Sequence, residues 1–290
     1  MNQSERAAFL KERLTGIGGS EAAGVCRASR WENKSPVAIY LDKLGEGTEL
    51  PDNVRMRIGR KFENPLLEMY EEDTGLTLSE NPGLIRHRKY PFLLAHVDGL
   101  VEGSHIVEIK MITSPHHDEW ATIEEGKEWY ARGDIPEDYY YQIQHYLMVT
   151  GLEEAHLYAY IASFDPIRLY KFKRNNLFIL KMRAAEIDFW NNHVQKKIPP
   201  VNMTKEETLL LWPKPEEKKL KAADVEVCLE INMLKETKAQ MKELKAKEKQ
   251  IIDVITTSIG STEGLQDDEG RTLVTWKENS RGSRTLRVAN

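Results

Sequence analysis

The spacing of apolar positions divides the first half of the chain into helices followed by strands. Residues 1–45 predict a helix, a glycine-rich turn and two further helices. Apolar residues at helical spacing over 54–73 predict one long helix, which ends before Gly75. Runs rich in Val, Ile, Leu and Phe then predict strands, at Leu76–Ser79, Leu84–Arg88, Phe92–Val101 and Ile106–Met111.

The following residues alternate helices with strands. Helical spacing at about 115–128, 137–151 and 175–195 brackets two apolar strand segments near 155–163 and 167–173. Helices before, between and after a run of strands favour an α/β (α+β) fold, in which a mixed central β-sheet is flanked by helices.

A change of pattern near residue 199 predicts a boundary. Two prolines at 199–200 begin a polar segment that ends in the sequence WPKP. We therefore expect a domain at 1–198, a linker at 199–215 and an extension at 216–290. Dense Lys and Glu, with apolar residues at three- and four-residue steps, predict a long helix or helical hairpin that packs on itself or on a partner, followed by a terminal β-hairpin.

Composition excludes several classes of protein. The 290 residues are 40% hydrophobic and 30% charged, and no apolar run is long enough to span a membrane. Two cysteines, Cys26 and Cys228, give neither a disulfide framework nor a zinc-knuckle spacing, so we expect a cytoplasmic, reducing location. The net charge of −5 argues against coating nucleic acid through bulk positive potential, although a local basic groove stays compatible with it.

Two acidic residues and a lysine occupy strand positions that bring them together. Asp98 lies in one predicted strand segment, and Glu108 and Lys110 lie two residues apart on the next, so these two side chains project from the same face. Charged groups within a strand are costly to bury unless they pair or bind a metal. The spacing alone leaves two interpretations open, a functional site and a salt bridge at the sheet edge.

The same residue types match what a hard divalent cation requires. Mg²⁺ prefers carboxylate and carbonyl oxygens and keeps several waters. Asp98, Glu108 and the backbone carbonyl of Ile109 therefore predict an open Mg²⁺ site, for which Mn²⁺ is a substitute. Such an ion activates a bound water and stabilises charge on a phosphate. Lys110 would hold the attacking water or neutralise charge in the transition state, which together predicts phosphodiester hydrolysis.

Polar residues on neighbouring predicted helices extend this set. Glu63, on the helix before the sheet, is either a further ligand, directly or through water, or a solvent-facing charge. Tyr139 and Gln142 lie one turn apart on one helix face. They predict contact with phosphate or with the attacking water, and packing of a tyrosine-rich helix is the alternative.

Several short motifs follow one another in a characteristic order. They are IGGSEA at 17–22, GRKFE at 59–63, VDGL at 97–100, EIK at 108–110, Tyr139-x-x-Gln142-x-Gln144 and FDP at 164–166. In this order they resemble the phage-type exonucleases of the lambda exonuclease and YqaJ-like recombinase group, within the PD-(D/E)XK nuclease superfamily. The resemblance covers roughly residues 10–195 and implies a restriction-endonuclease-like fold.

The resemblance also implies an activity. It predicts a 5′-to-3′ exonuclease that digests one strand of linear double-stranded DNA and leaves 3′ overhangs for a single-strand annealing protein. In such enzymes the residues matching Asp98 and Glu108 bind magnesium. The match to Glu63 supports the site, and the match to Lys110 assists the attacking water.

Substrate contacts and assembly follow from the same resemblance. The residues matching Arg13 and Ser20 hold the terminal 5′-phosphate, and a simple helix N-cap is the alternative for Ser20. We assign Tyr139 and Gln144 to substrate binding as well. The family implies a phage or prophage protein in a bacterial host and a homo-oligomer, with a ring trimer as the known precedent. The long charged extension has no counterpart in the compact lambda enzyme.

Two other functions compete with the exonuclease. A PD-(D/E)XK endonuclease of restriction or repair type would use the same residues and would cut circular DNA. A noncatalytic DNA-binding or scaffold module would use Asp98, Glu108 and Lys110 as a structural salt-bridge network.

Overall fold

The computed structural model describes residues 11–47, 53–112, 116–162, 166–280 and 282–289. The chain divides into two compact units, Met1–Pro215 and Glu216–Asn290. Part of the FDP motif, at residues 164 and 165, lies outside the described residues. Among the described helices, none combines the length and the apolar character needed to cross a lipid bilayer.

The first unit combines helices with short strands. Its helices are α1 (Gly19–Val25), α2 (Pro36–Lys43), α3 (Val54–Thr74), α4 (Glu137–Thr150), α5 (Asn176–Asp188) and α6 (Lys205–Leu211). Its strands are β1 (Ile17–Gly18), β2 (Leu84–Arg86), β3 (Leu93–His96), β4 (Gly99–Val101), β5 (His105–Ile112), β6 (Glu154–Ile161) and β7 (Ile167–Lys173). Short 3₁₀ turns occupy Glu32–Lys34 and His116–Glu119, and a π-helical turn at Phe189–Val194 continues α5.

The main sheet is mixed, which confirms the predicted fold class. Its four strands run in the order β4-β5-β6-β7, and β5 and β6 are parallel whereas the two outer pairs are antiparallel. A second, three-stranded sheet has the order β1-β3-β2. The parallel pair needs a crossover connection, and α4 lies in it.

Helices cover both faces of the main sheet. The α4 face holds the larger core, where Ile143 and Leu147 lie in one buried cluster with Ile106 and Leu157. On the opposite face, α3 contributes Leu66 and Tyr70 to a smaller cluster with Val107, Ile109 and Tyr158 of β5 and β6. Because side chains alternate along β5, Glu108 shares the α4 face with Ile106.

A buried polar network fixes α3 to the sheet. The Tyr70 hydroxyl lies 2.8 Å from His105 Nε2 on β5 and 2.6 Å from His156 Nδ1 on β6. Burial, helped by the neighbouring His105, lowers the pKa of His156 to about 3, so this ring is neutral at neutral pH. A phenol can donate to one neutral imidazole and accept from the other, so one hydroxyl satisfies both rings.

Several predicted elements differ in the structure. Residues 76–79 form no strand: Leu78 N donates to Glu71 Oε1 of the preceding helix, whereas Ser79 N donates to the carbonyl of Leu100 on β4. The predicted helix at 115–128 is limited to the 3₁₀ turn at its start, and Trp120 and the loop after it pack under β7, where Arg168 donates to the Trp120 carbonyl.

The predicted linker at 199–215 is structured over part of its length. It contains α6, which begins with a capping box made by Thr204 and Glu207. Glu207 also accepts a hydrogen bond from Arg27 at 3.2 Å, so this segment is fastened to the N-terminal helices. The first unit accordingly extends to Pro215 and not to residue 198.

The described residues of the second unit form one helix and three strands. Helix α7 (Val225–Ile259) is continuous, so the helical-hairpin alternative is not what the structure contains. The predicted terminal hairpin is present as β9 (Thr272–Glu278) and β10 (Arg284–Val288), and the short β8 (Gly264–Gln266) adds a third antiparallel strand to it.

The Tyr70 network gives a test of how α3 is held. In Tyr70→Phe the two imidazoles lose their shared partner while the ring volume is retained, so we expect the free energy of unfolding to fall by about 1–3 kcal/mol. Urea unfolding followed by circular dichroism measures this loss. Tyr160→Phe, on the same face of β6, is the matched control and should lose much less. Equal losses in the two variants would show that the hydrogen bonds of the Tyr70 hydroxyl to the two histidines do not stabilise the fold.

Candidate functional site

Asp98 lies at a break between the two sheets. We predicted a single strand over 92–101, but β3 and β4 belong to different sheets and Asp98 stands between them. Its Oδ2 accepts a hydrogen bond from the backbone N–H of Ile109 at 2.8 Å. In this way the carboxylate takes a donor on β5 next to the point where pairing with β4 stops at Val107.

Glu108 and Lys110 meet Asp98 on the α4 face of β5, as the spacing predicts. Lys110 Nζ forms an ion pair with Glu108 Oε1. The same oxygen accepts a hydrogen bond from Gln142 Nε2 of α4 at 2.6 Å, and Gln142 Nε2 also lies 3.0 Å from the Tyr146 hydroxyl. Strand β5 therefore supplies an acid and an amine, and α4 holds the acid in place.

The pKa values of both acids are raised, mainly by burial. Burial, followed by the charge of Asp98, raises the pKa of Glu108 to about 8. Burial also raises the pKa of Asp98. Although burial opposes it, the carboxylates of Glu108 and Asp98 raise the pKa of Lys110, which stays charged. Two neighbouring acids with raised pKa values call for one more positive charge or a shared proton.

One oxygen of this cluster has an unsatisfied hydrogen-bonding capacity. Glu108 Oε2 is buried and has no hydrogen-bond partner among the described residues. A buried carboxylate oxygen without a partner is costly, and a cation or a bound water would remove that cost. Asp98, Glu108 and the neighbouring Ile109 line one cleft and carry only oxygen donors, so the donor set fits Mg²⁺.

Glu63 lies in the same cleft, on α3, and the charge of Asp98 adds to burial in raising the pKa of Glu63. Across the described part of the chain, however, no three acidic, imidazole or thiol side chains are close enough to hold a metal by themselves. Of the two roles that we considered for Glu63 as a ligand, contact through water therefore fits the geometry better than direct ligation.

The cleft has a volume of about 1380 Å³ and contains most of the predicted substrate contacts. Arg13, Ser20, Tyr139 and Gln142 all line it. Lys110 Nζ lies 5.3 Å from the centroid of the Tyr139 ring, so this ring backs the amine. The structure thus brings nearly all of the predicted site residues to one cavity.

Gln144 is the exception. Its side chain is fully buried, where Nε2 donates to the Lys173 carbonyl at 2.9 Å and Oε1 accepts from the N–H of Asn175 at 2.8 Å. Gln144 therefore fastens α4 to the end of β7 and does not reach the cleft. The reason is helical geometry, because two residues along a helix turn the side chain well away from the face of Gln142.

Arg13 belongs to a buried charge cluster at the start of α1. Arg13 Nη2 and Lys43 Nζ each donate to Glu21 Oε1 at 2.8 Å, and the Gly18 N–H donates to Glu21 Oε2 at 2.9 Å. Against the effect of burial, Lys43 and Arg13 lower the pKa of Glu21 to about 2. This cluster holds Arg13 at the cleft wall and places Ser20 in the first turn of the helix that begins at Gly19.

A basic wall of the cleft was missed in the sequence analysis. Four of the seven residues from 55 to 61 are Arg or Lys, and all four line the cleft from α3: Arg55, Arg57, Arg60 and Lys61. Lys34 lines it from the N-terminal side. The density of basic residues in this short stretch is the sequence signal for this wall.

A buried pair of His145 and Glu186 lies behind the site. His145 Nδ1 is 2.8 Å from Glu186 Oε1, and His145 Nε2 is 2.9 Å from the carbonyl oxygen of Leu94, a cleft residue on β3. Both ring nitrogens face acceptors, which a doubly protonated imidazole satisfies. Although burial lowers it, the carboxylate of Glu186 raises the pKa of His145. This pair anchors β3 to α4 and α5.

Comparison with known proteins places the site in a family context. A model of the YqaJ-like viral recombinase domain matches residues 8–153. The YqaJ protein of Bacillus subtilis (strain 168) is 30% identical over 196 residues, which is 67% of this chain and 58% of that protein, so the match spans well under two thirds of the relative.

The fold also has counterparts among solved structures. The alkaline exonuclease of Laribacter hongkongensis superposes with a TM-score of 0.53, at 22% identity, over 66% of this chain and 94% of that one. The structure of the same exonuclease in complex with dAMP gives 0.54, with the same identity and coverage. At this level of identity the likeness extends to the fold.

Substitutions of the buried Glu108 and Glu186 should change stability in opposite directions. Folding raises the pKa of Glu108 to about 8, so the folded state binds more protons than the unfolded state and loses stability as the pH rises from about 4.5 to 8. In metal-free buffer above pH 8, Glu108→Gln should therefore raise the Tm by a few degrees, roughly 2–4 °C per kcal/mol. This gain should disappear near pH 4.5.

Glu186→Gln is the matched control for that experiment. It leaves the buried His145 cation without its counter-charge, so the Tm should fall, by the equivalent of about 3 kcal/mol. Differential scanning fluorimetry across the pH range measures both variants. A lower Tm for Glu108→Gln at high pH would contradict the idea that the acids of the cleft repel each other.

Proposed function

The chain belongs to the YqaJ-like viral recombinase domain family, and we propose that it is a metal-dependent nuclease that hydrolyses phosphodiester bonds in DNA. One observation carries the proposal most directly. Two acids with raised pKa values, one of them with an unpartnered buried oxygen, lie beside a lysine in a large cleft with a basic wall. The fold likeness to an exonuclease, one structure of which holds dAMP, supports the same activity.

The cleft residues divide the chemistry between them. Asp98, Glu108 and the Ile109 carbonyl would hold Mg²⁺, with Mn²⁺ as a substitute, and the bound ion would supply Lewis acidity toward a phosphate oxygen and a water. Lys110 orients the attacking water and neutralises charge that develops on the phosphate. Gln142 keeps Glu108 in its rotamer by donating to Oε1, while Oε2 is buried and has no hydrogen-bond partner among the described residues.

The contacts proposed at the DNA end give the digestion a direction. We propose a 5′-to-3′ exonuclease that degrades one strand of linear double-stranded DNA and leaves 3′ overhangs for a single-strand annealing protein. Arg13 and Ser20 would hold the 5′-phosphate, because a guanidinium fixed by Glu21 still has donors for a second anion. Tyr139 supports the substrate beside Lys110.

Assembly and location belong to the same proposal. We propose a homo-oligomer in which DNA is threaded, with the ring trimer of the family as precedent, and action in the cytoplasm of a bacterial host by a phage or prophage protein. The domain limits that we propose for the nuclease are 1–215, since α6 is fastened to the N-terminal helices through Glu207. The unit at 216–290 is an extension of it.

A comparison of three DNA substrates tests the activity. We expect Mg²⁺-dependent degradation of linear 5′-phosphorylated duplex, weak degradation of linear 5′-hydroxyl duplex and none of closed circular DNA, measured as release of acid-soluble nucleotides. EDTA should abolish it. Lys110→Ala should reduce kcat by a factor of about 10² or more, as for a group that acts mainly in the transition state.

Lys181→Ala, an exposed lysine of α5 away from the cleft, is the control and should be fully active. Cleavage of the closed circle would favour the endonuclease of restriction or repair type. No degradation of any substrate, together with an effect of Asp98→Ala on stability alone, would favour the noncatalytic scaffold.

The phosphate contact gives a separate prediction. Arg13→Gln should raise the KM for 5′-phosphorylated ends about tenfold or more and leave kcat nearly unchanged, because it removes an interaction made equally in the ground and transition states. The KM for 5′-hydroxyl ends should change little. Arg27→Gln, whose side chain pairs with Glu207 outside the cleft, is the control. An equal rise of KM for both kinds of end would remove Arg13 from phosphate recognition.

A further inference from the structure

Helix α7 presents an apolar seam to solvent. It runs for 35 residues from an N-cap at Asp224, whose side chain accepts from the Val227 N–H, to Gly260. Residues at alternating steps of four and three lie along one side of it: Val227, Ile231, Leu234, Lys238, Met241, Lys245, Glu248, Ile252, Ile255 and Ile259. This is the spacing of the core positions of a coiled coil.

The seam is uncovered over most of its length. Ile231, Leu234, Met241 and Ile252 are 43%, 54%, 51% and 38% exposed. Only Ile259, at the end beside the strands, is buried. A helix in a folded protein takes most of its stability from packing of an apolar face, and a row of exposed Ile, Leu and Met over several turns marks an interaction surface.

We propose that α7 of a second copy of this chain covers the seam, with the two helices antiparallel. In the register that we infer, Ile231 of one copy faces Ile255 of the other, and Leu234 faces Ile252. Lys238 then faces Glu248, and Met241 faces the aliphatic stem of Lys245. Every exposed apolar residue of the seam from 231 to 255 is covered, and the buried Ile259 is not needed.

The charged residues of the seam favour an antiparallel over a parallel pair of helices. In a parallel pair, each core residue meets its own equivalent, so Lys238 would face Lys238, Lys245 would face Lys245 and Glu248 would face Glu248. Like charges at the core of an interface are costly because they are partly desolvated. The antiparallel register removes all three repulsions and forms two Lys238–Glu248 pairs, one at each end of the central turns.

The flanking positions fit the same arrangement. Leu244 lies beside the seam and is 63% exposed. The inferred register is centred on residue 243, so the two copies of Leu244 meet near the middle of the pair. Along the other rim the same register brings Lys242 near its own equivalent and Lys235 near Lys249, at exposed positions where water screens the like charges.

Exchange of the paired charges tests the register in the full-length protein. We expect Lys238→Glu and Glu248→Lys each to raise the Kd of self-association at least about tenfold, measured by sedimentation velocity over a concentration series. The double variant K238E/E248K restores opposite charges only in the antiparallel register, so its Kd should return to within about threefold of the starting value.

Glu236→Lys is the matched control for Glu248→Lys. Glu236 lies on the side of α7 opposite the seam, so the Kd should be unchanged, and circular dichroism checks that every variant keeps its helix. An unchanged Kd in both single variants, a double variant no better than the singles, or a chain that stays monomeric and acquires mass only with another protein would each overturn the proposal.

A distance measurement tests the direction independently. Cys228 is exposed near the start of α7, whereas burial raises the pKa of the Cys26 thiol and makes it slow to react, so a nitroxide label can be directed to Cys228. At 1.5 Å per residue, the antiparallel register separates the two labels by about 45 Å, against less than about 20 Å in a parallel pair. A dipolar spectrum dominated by the short distance would refute the proposal.

These measurements do not require nuclease activity. Failure of the charge exchange would leave the proposed hydrolysis untouched, and an inactive protein could still pair through α7.

Discussion

The confinement of two carboxylates beside one lysine is the constraint on which the rest of the first unit depends. Glu108 is almost completely buried on a central strand, and Asp98 is held against the same strand by the Ile109 N–H. One Lys110 ammonium does not offset the effect of burial on the two acids, to which the charge of Asp98 adds at Glu108, so the pKa of each stays raised. The surrounding core, in which Gln142 of α4 contacts Glu108 and Tyr146, keeps these charged groups buried. In the unfolded chain water would surround them.

Much of this arrangement could be predicted because it follows from local rules. Strand alternation alone places Glu108 and Lys110 on one face, and a short connection between adjacent strands returns Asp98 to them. The long helix over 54–73 and the helix over 137–151 follow from apolar spacing and from glycines that end them at Gly75 and Gly151. The order of several individually weak motifs also indicated the protein family.

The predictions that were wrong concern features that depend on contacts between distant parts of the chain. The strand predicted at 92–101 is divided because the Asp98 side chain takes a backbone donor of β5, which no pattern within the segment reveals. The same holds for α6, where an ion pair between Arg27 and Glu207 joins residues 180 positions apart. The prediction that Gln144 binds substrate was wrong for a different reason. It rested on the motif that contains Gln144, although the rotation of the helix turns this side chain away from the face of Gln142.

The position of Asp98 between two sheets makes the separation of the carboxylates adjustable. Strand β3 pairs with β1 and β2, whereas β4 pairs with β5, so Asp98 lies on the short connection between strands of two different sheets. The buried His145–Glu186 pair holds β3 through the Leu94 carbonyl, and thereby sets where β3 rests. Substitutions deep in α5 can therefore change the position of Asp98 relative to Glu108, and with it the properties of the proposed cation site, without touching either carboxylate.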